Sequence, residues 1–217
     1  MGKFVSYDSP IMQILNKITD CFFLSVLWVL FSIPLFTIGA STTALYYTVN
    51  KVIRHDRSSI WKEFRDAFKQ NFKQSTIVWL ILCVLYSVLI INGIIMYRVS
   101  IVDETYTTVL VVVFVTLIVL MLWSSYLFPY IARFSNTIKN ILKISGFLFV
   151  RHLLTSLLLV ILFVVAVVLI YLFFPVVFLV PALYMLVASF LLEKVFKRYM
   201  SEEDLAAEEE RNRVYYN

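Results

Sequence analysis

The sequence is short of charged residues and of helix breakers, and both shortages restrict the class of protein. Only 15% of its 217 residues are charged, whereas soluble domains average about 25%. The four glycines and five prolines leave long stretches unbroken. Polar and apolar residues do not alternate, so helices are favoured over a β-barrel. With 61% hydrophobic residues, the composition excludes a soluble globular domain and indicates an all-α membrane protein.

Cysteine and histidine are too scarce to indicate a disulfide framework or a metal site. Cys21 and Cys83 both lie in apolar stretches, where a buried free thiol is the ordinary expectation. His55 and His152 each lack a second histidine three or four residues away. Walker, GxGxxG, HExxH and GxSxG motifs are also missing. We therefore expect neither enzyme activity nor a cofactor.

Four charge-free stretches are long enough to cross a membrane, which takes about 20 apolar residues. They are Cys21–Asn50, Gln74–Tyr97, Thr105–Ala132 and His152–Leu192. The second and third each hold one span, the fourth holds two, and the first is long for one span and short for two. The prediction is a polytopic helical bundle with five to six membrane segments. It forms one membrane domain over residues 1–198, followed by an acidic tail over residues 199–217.

The first stretch contains a break between Pro34 and Gly39. Pro34 cannot donate a backbone hydrogen bond, and Gly39 adopts positive φ without penalty. Two geometries fit: one long kinked span, or a helical hairpin that turns near residues 37–39. Small residues that suit close helix contact follow the break. The segment's candidate partner contacts are Pro34, Gly39, Ala40, Ser41, Thr43 and Ala44.

The distribution of lysine and arginine favours the hairpin. Cytoplasmic loops are enriched in these residues, and residues 51–73 carry seven of them against three acidic residues. Lys3 and Lys17 lie on the same side only if the first stretch enters the membrane and returns. Lys197 and Arg198 place the C-terminus on that side too. We therefore expect a multi-pass protein of the cell membrane with both termini in the cytoplasm.

Three segments are amphipathic, and we expect them to form interfacial helices. Residues 11–20 form the first, residues 58–74 the second and residues 133–151 the third. In the second, aromatic residues on one face are candidates for membrane anchoring or partner contact: Trp61, Phe64, Phe68 and Phe72. Basic residues of the second and third are candidates for lipid-headgroup contact: Lys62, Arg65, Lys69, Lys73, Lys139 and Lys143. Because these segments adjoin spans, membrane lipids are expected as partners and nucleic acid is not.

Three stretches together resemble the YesL-like family of bacterial membrane proteins of unknown function, over roughly residues 11–195. They read FSIPLFTIGASTTALYYTVNKVIR, WKEFRDAFKQNFKQSTIVWLI and ARFSNTIKNILK. Many members have proline after the glycine of the first stretch, where this chain has Ala40. Members are commonly encoded beside sugar-importing ABC transporters and polysaccharide-degrading enzymes in Gram-positive bacteria. The resemblance therefore implies a connection with carbohydrate uptake, and it implies no catalytic residues.

Three functions fit these observations. The first is a non-enzymatic accessory or assembly protein of a carbohydrate ABC importer, whose permease subunits are the expected partners. The second is a small transporter or channel for a neutral solute, which needs no buried charge. The third is a membrane signalling or regulatory protein that uses its acidic tail.

Overall fold

The chain folds as an all-α bundle. The computed structural model describes residues 10–54, 59–101, 103–200, 202–203 and 205–206, and it contains no strand within them. Seven α-helices follow in order: α1 Pro10–Ser32, α2 Ile38–Thr48, α3 Ile60–Ser100, α4 Thr107–Arg133, α5 Ile138–Arg151, α6 Leu153–Leu172 and α7 Val180–Phe196. Short helical turns connect several of them, and a π-helical segment, Val49–Ile53, extends α2. The predicted tail lies mostly outside the described residues.

Four helices are long and apolar enough to cross a membrane, so the chain is a helical membrane protein. They are α1 from Leu15 to Ser32, then α3, α4 and α6. The predicted sixth segment is α7, which has 17 residues and begins at Val180 with Pro181 in its first turn. Proline suits this position because it has no N–H to satisfy. After the turn Phe174–Phe178, the chain therefore starts a new helix at Val180.

Two predicted interfacial helices are not separate elements. Residues 11–20 are the first part of α1, which continues without interruption to Ser32. Residues 60–74 are the first part of α3, whose 41 residues also include the predicted span. At 1.5 Å per residue, α3 is about 60 Å long. A change from basic to apolar side chains does not interrupt the backbone hydrogen bonds, so the sequence boundary was not a helix boundary.

The third amphipathic segment is a helix of its own, α5. Thr137 caps it, because its side-chain oxygen accepts a hydrogen bond from the backbone N–H of Asn140. Ile141, Ser145 and Leu148 are buried on the face that packs on the bundle. Its position at a membrane interface stays a prediction.

The predicted break is present, but its turn comes earlier than expected. α1 ends at Ser32, a short turn occupies Leu35–Thr37, and α2 begins at Ile38. Gly39 is therefore helical and does not form the turn. The two helices fold back on each other. A hydrogen bond joins them, in which the indole nitrogen of Trp28 donates to Thr42 Oγ1 over 3.2 Å. This arrangement is a hairpin and not one long kinked helix.

α2 lies at the centre of the bundle. Eight of its 11 residues are buried, and it contacts α1, α3, α4 and α7. α6 packs on α4 and α7 at the periphery, where the Ser156 hydroxyl donates to Tyr126 Oη over 3.1 Å. Beyond Leu82 of α3 and before Leu120 of α4, the large apolar side chains are mostly exposed. That exposure is what contact with lipid chains requires.

Candidate functional site

The small residues of α2 make a close contact inside the chain. A Cβ atom added to Gly39 would lie 2.6 Å from the Ser75 carbonyl oxygen and 2.6 Å from Trp79 Cβ. Thr43 Oγ1 lies 2.9 Å from Ser75 Oγ in the same contact. The small residues of α2 thus make the close helix contact that their size allows. Their neighbour, however, is α3 of the same chain.

This packing corrects the role given to the small residues. Five of the six candidate partner contacts are buried in the chain and present no surface to another protein: Gly39, Ala40, Ser41, Thr43 and Ala44. Pro34 is the exception, since it is exposed at the turn. The sequence showed that small residues were needed there, but it could not show which helix required them.

The aromatic face of α3 also packs inside the chain. Phe31 lies near the end of α1. Its ring centre is 5.4 Å from the ring centre of Phe64 and 5.0 Å from that of Phe68. Phe64 is fully buried, whereas Trp61 stays 45% exposed at the start of the helix. Phe72 extends the row, with its ring centre 5.4 Å from that of Phe68 and the two rings tilted against each other. These aromatics are therefore largely committed to α1, and only Trp61 offers a substantial outer surface.

The opposite side of the same helix carries exposed charge. We call Lys62, Arg65, Lys69 and Lys73 the basic face. All four side chains are exposed, as are Lys139 and Lys143 on α5. Because aromatic residues on the other side of α3 pack against Phe31 of α1, the basic face lies on a helix that is already held in place. It is the part of the predicted contact surface that the fold leaves accessible.

A buried polar network joins α2, α4 and α7. The Glu193 carboxylate is only 4% exposed. It accepts hydrogen bonds from Tyr46 Oη at 2.8 Å and Asn50 Nδ2 at 2.9 Å. A guanidinium nitrogen of Arg133, at the end of α4, lies 3.5 Å from its second oxygen. Burying a charged group costs free energy unless the charge is paired. The three groups that pair with Glu193 lie on different turns or helices.

The π-helical segment supplies part of this network. Arg54 closes it with a backbone bond from its N–H to the carbonyl of Val49, over 3.1 Å. Its guanidinium donates to Asn50 Oδ1 at 3.0 Å and stacks 4.5 Å from the ring centre of Phe190 on α7. π-helical turns are rare and often occur at functional sites.

A second ion pair fastens the same segment to α3. Lys51 Nζ donates to Glu63 Oε2 over 2.8 Å and to Tyr47 Oη over 3.3 Å. Partial burial lowers the pKa of the Lys51 ammonium, but these hydrogen bonds outweigh the burial, so the pKa is raised overall. Lys51 thus keeps its charge at any physiological pH. This pair and the Glu193 network together hold the end of α2 between α3 and α7.

Sequence reasoning missed the Glu193 network. From this part of the chain, only Lys197 and Arg198, which are exposed, were used in the prediction, as markers of the cytoplasmic side. The available signal was the position of Glu193 directly after the longest charge-free stretch, where the helix still has a buried face. The partners Tyr46 and Arg133 lie far away in sequence, so no local pattern connects them with Glu193.

A cavity of about 510 Å³ lies between the helices. Residues of six helices line it, among them Trp28, Trp79, Tyr86, Phe163 and Tyr184. Most of the lining is aliphatic or aromatic. Its volume is in the range of binding sites for small molecules, about 300–1,000 Å³. Among the residues that the structure describes, no group of three or more His, Cys, Asp or Glu side chains could hold a metal ion.

Comparison with known proteins finds a similarity to one family. No curated protein and no solved structure matches it. The model of a family described as "Protein of unknown function, DUF624" matches residues 21–93. The matched segment runs from the middle of α1 through the hairpin and α2 to Gly93 of α3. Over this segment, about a third of the chain, the sequence is similar to DUF624, which is the YesL-like family of proteins of unknown function.

Proposed function

We propose that the chain is a non-catalytic integral membrane protein that serves as an accessory or assembly subunit of a carbohydrate ABC importer. The observation that carries the proposal is the exposed basic face of α3. A charged surface on a helix that is already packed loses little conformational entropy when a partner binds. Such a surface also attracts and orients a partner of opposite charge.

The identity of the partner follows from the family resemblance and not from the geometry. An importer permease or its associated subunits would supply an acidic surface next to the membrane. We place the basic face and both termini in the cytoplasm, because lysine and arginine are enriched on that side of membrane proteins. On this topology, the basic face meets an importer at its cytoplasmic surface.

Co-purification tests the proposal. The tagged chain would be isolated in mild detergent from cells grown on the inducing sugar, and bound proteins identified by mass spectrometry. We expect permease subunits with the natural chain and about tenfold less with the combined changes Lys62→Glu, Arg65→Glu and Lys69→Glu. The matched control is Lys139→Glu, Lys143→Glu and Lys194→Glu, which changes the net charge equally on α5 and α7.

Two results would count against this function. One is reproducible isolation of the natural chain without any permease subunit. The other is equal loss with both triple variants, which would show a response to net charge and not to the basic face. If the α3 variant instead loses binding to anionic vesicles and keeps its protein partners, the basic face contacts lipid headgroups.

The cavity favours a second candidate, a transporter for a neutral solute. The cavity lies among six helices and has a volume suited to a small molecule. Transport would require the cavity to open alternately toward each side of the membrane. Uptake of a radiolabelled neutral and largely apolar solute by vesicles containing the purified chain, compared with empty vesicles, tests this function. Equal uptake by both would remove it.

A further inference from the structure

The cavity lies within the apolar part of the bundle. Leu159 and Ile170 mark the extent of its lining on α6, inside the Leu153–Leu172 candidate span. Trp79, Leu82 and Tyr86 line it from the apolar part of α3. The solvent at this depth of a membrane consists of lipid chains. Water is a poor occupant, because an ordered water needs about two to four polar partners.

The lining of the cavity extends over several turns of two helices. Its lining extends along α6 from Leu159 to Ile170 and along α7 from Val180 to Leu192. At 1.5 Å per residue, these stretches correspond to about 16 and 18 Å. A lining of this length is suited to an extended aliphatic chain.

The polar groups of the wall already bond to one another. Trp28 donates to Thr42, and Tyr86 Oη lies 3.1 Å from Ser124 Oγ. Ser125 donates to a backbone carbonyl within α4. The hydroxyl of Tyr184 differs, since it has no hydrogen-bond partner among the described residues. A sugar, with many hydroxyls, would leave most of them unpaired here, which is costly.

We propose that the cavity binds one aliphatic chain of a membrane lipid, with at most a single polar group of that lipid bonded to Tyr184. The apolar wall, the length of the lining along α6 and α7 and the position among candidate spans all select such an occupant. This binding site is independent of the proposed role with an importer. Failure of either proposal leaves the other standing.

Tryptophan fluorescence can report the occupant directly. Two of the four tryptophans, Trp28 and Trp79, line the cavity. In a chain with Trp61→Phe and Trp123→Phe, all emission comes from these two residues. A dibrominated stearic acid added to the purified chain in detergent micelles should quench this emission saturably. Excess unbrominated stearic acid should restore the emission by displacement.

Matched variants separate the cavity from the outer surface. Ala166→Phe places a ring in the cavity and should weaken the saturable quenching by about tenfold. Val165→Phe, next to it on the exposed side of α6, should leave the quenching unchanged. If Ala166→Phe does not fold, as judged by its melting temperature, Ala166→Leu replaces it with a smaller expected effect.

Lipid extraction identifies the natural source. Organic extracts of the chain purified from membranes should contain one phospholipid or free fatty acid per chain, depleted in the Ala166 variant. A phospholipid and a fatty acid both supply the proposed chain, and mass spectrometry distinguishes them. Quenching that never saturates, or that is equal in the Ala166 and Val165 variants, would overturn the proposal by showing general exposure to detergent and lipid.

Discussion

At Gly39, α2 lies in close contact with α3 and α4. The missing side chain of this glycine leaves room for the Ser75 carbonyl, for Trp79, and for a ring carbon of Phe128 that would lie 2.9 Å from an added Cβ. The sequence suggested that this glycine was needed for positive φ at a turn. The structure shows a helical residue whose value is its small size.

We therefore expect Gly39→Ala to destabilise the fold. The added methyl would contact backbone and Trp79 Cβ, neither of which moves easily, at a cost of about 1–3 kcal/mol. Gly93→Ala is the control, because its Cβ would meet only Val113 Cγ1 at an ordinary 3.6 Å. Removing a helical glycine there should be neutral or gain up to about 1 kcal/mol. Unfolding midpoints in SDS-titrated micelles measure both, and equal midpoints would contradict the explanation.

Glu193 carries a buried charge that is paired with Arg133. Replacement by Gln keeps the shape but leaves Arg133 without the carboxylate, and breaking a buried ion pair typically costs about 3–5 kcal/mol. We expect Glu193→Gln to lower the unfolding midpoint strongly, whereas Glu203→Gln, at an exposed position, should not change it. The double variant Arg133→Met, Glu193→Met should recover part of the loss. No recovery would mean that the charge pair is not the cause.

Among the elements, α3 differs most from its sequence interpretation. Its basic and apolar halves were assigned to two helices, yet neither glycine nor proline occurs between Ile60 and Asn92. The missing breakers were the signal for one long helix. Side-chain chemistry decides what surrounds each half, whereas backbone hydrogen bonding decides where the helix ends.

The contacts of Phe31 with the aromatic row of α3 predict that Phe31 stabilises the packing of α1 on α3. Phe31→Ala removes ring contacts with Phe64 and Phe68, and we expect a loss of about 2–4 kcal/mol in the free energy of unfolding. The emission of Trp61, whose ring lies 6.2 Å from that of Phe31, should shift at the same time. Phe36→Ala is the control, since Phe36 is 51% exposed. Equal effects of the two changes would argue against a structural role for the row.

At the scale of the whole molecule, the open prediction is the membrane topology. In a chain with Cys21→Ser and Cys83→Ser, single cysteines can be labelled with an impermeant maleimide from either side. We expect Lys69→Cys and Lys197→Cys to react from the cytoplasm and Asp103→Cys from outside. Lys17→Cys should react together with Lys69→Cys, which corresponds to six membrane segments. Reaction of Lys17→Cys together with Asp103→Cys would instead give five.

The sequence by itself determined the class of the molecule. A low charge content and charge-free stretches of membrane length require helices, because a backbone in lipid must satisfy its own hydrogen bonds. Pro34 correctly predicted a break between two helices, because proline has no N–H to donate to the helix. The amphipathic pattern of residues 60–74 correctly separated an aromatic face from a basic one. Each of these features depends on residues that are neighbours along the chain.

Only the tertiary structure decided what covers each face. The small residues after Gly39 and the aromatics of α3 were suited to contact with a partner protein, with lipid or with another helix of the chain. In the fold, the small residues and most of the aromatics pack against other helices of the same chain. Glu193 could be identified as a buried charge only once Tyr46 and Arg133 were placed beside it. A hydrophobic pattern shows that a surface will be buried, but the covering surface lies far away in sequence and no local pattern specifies it.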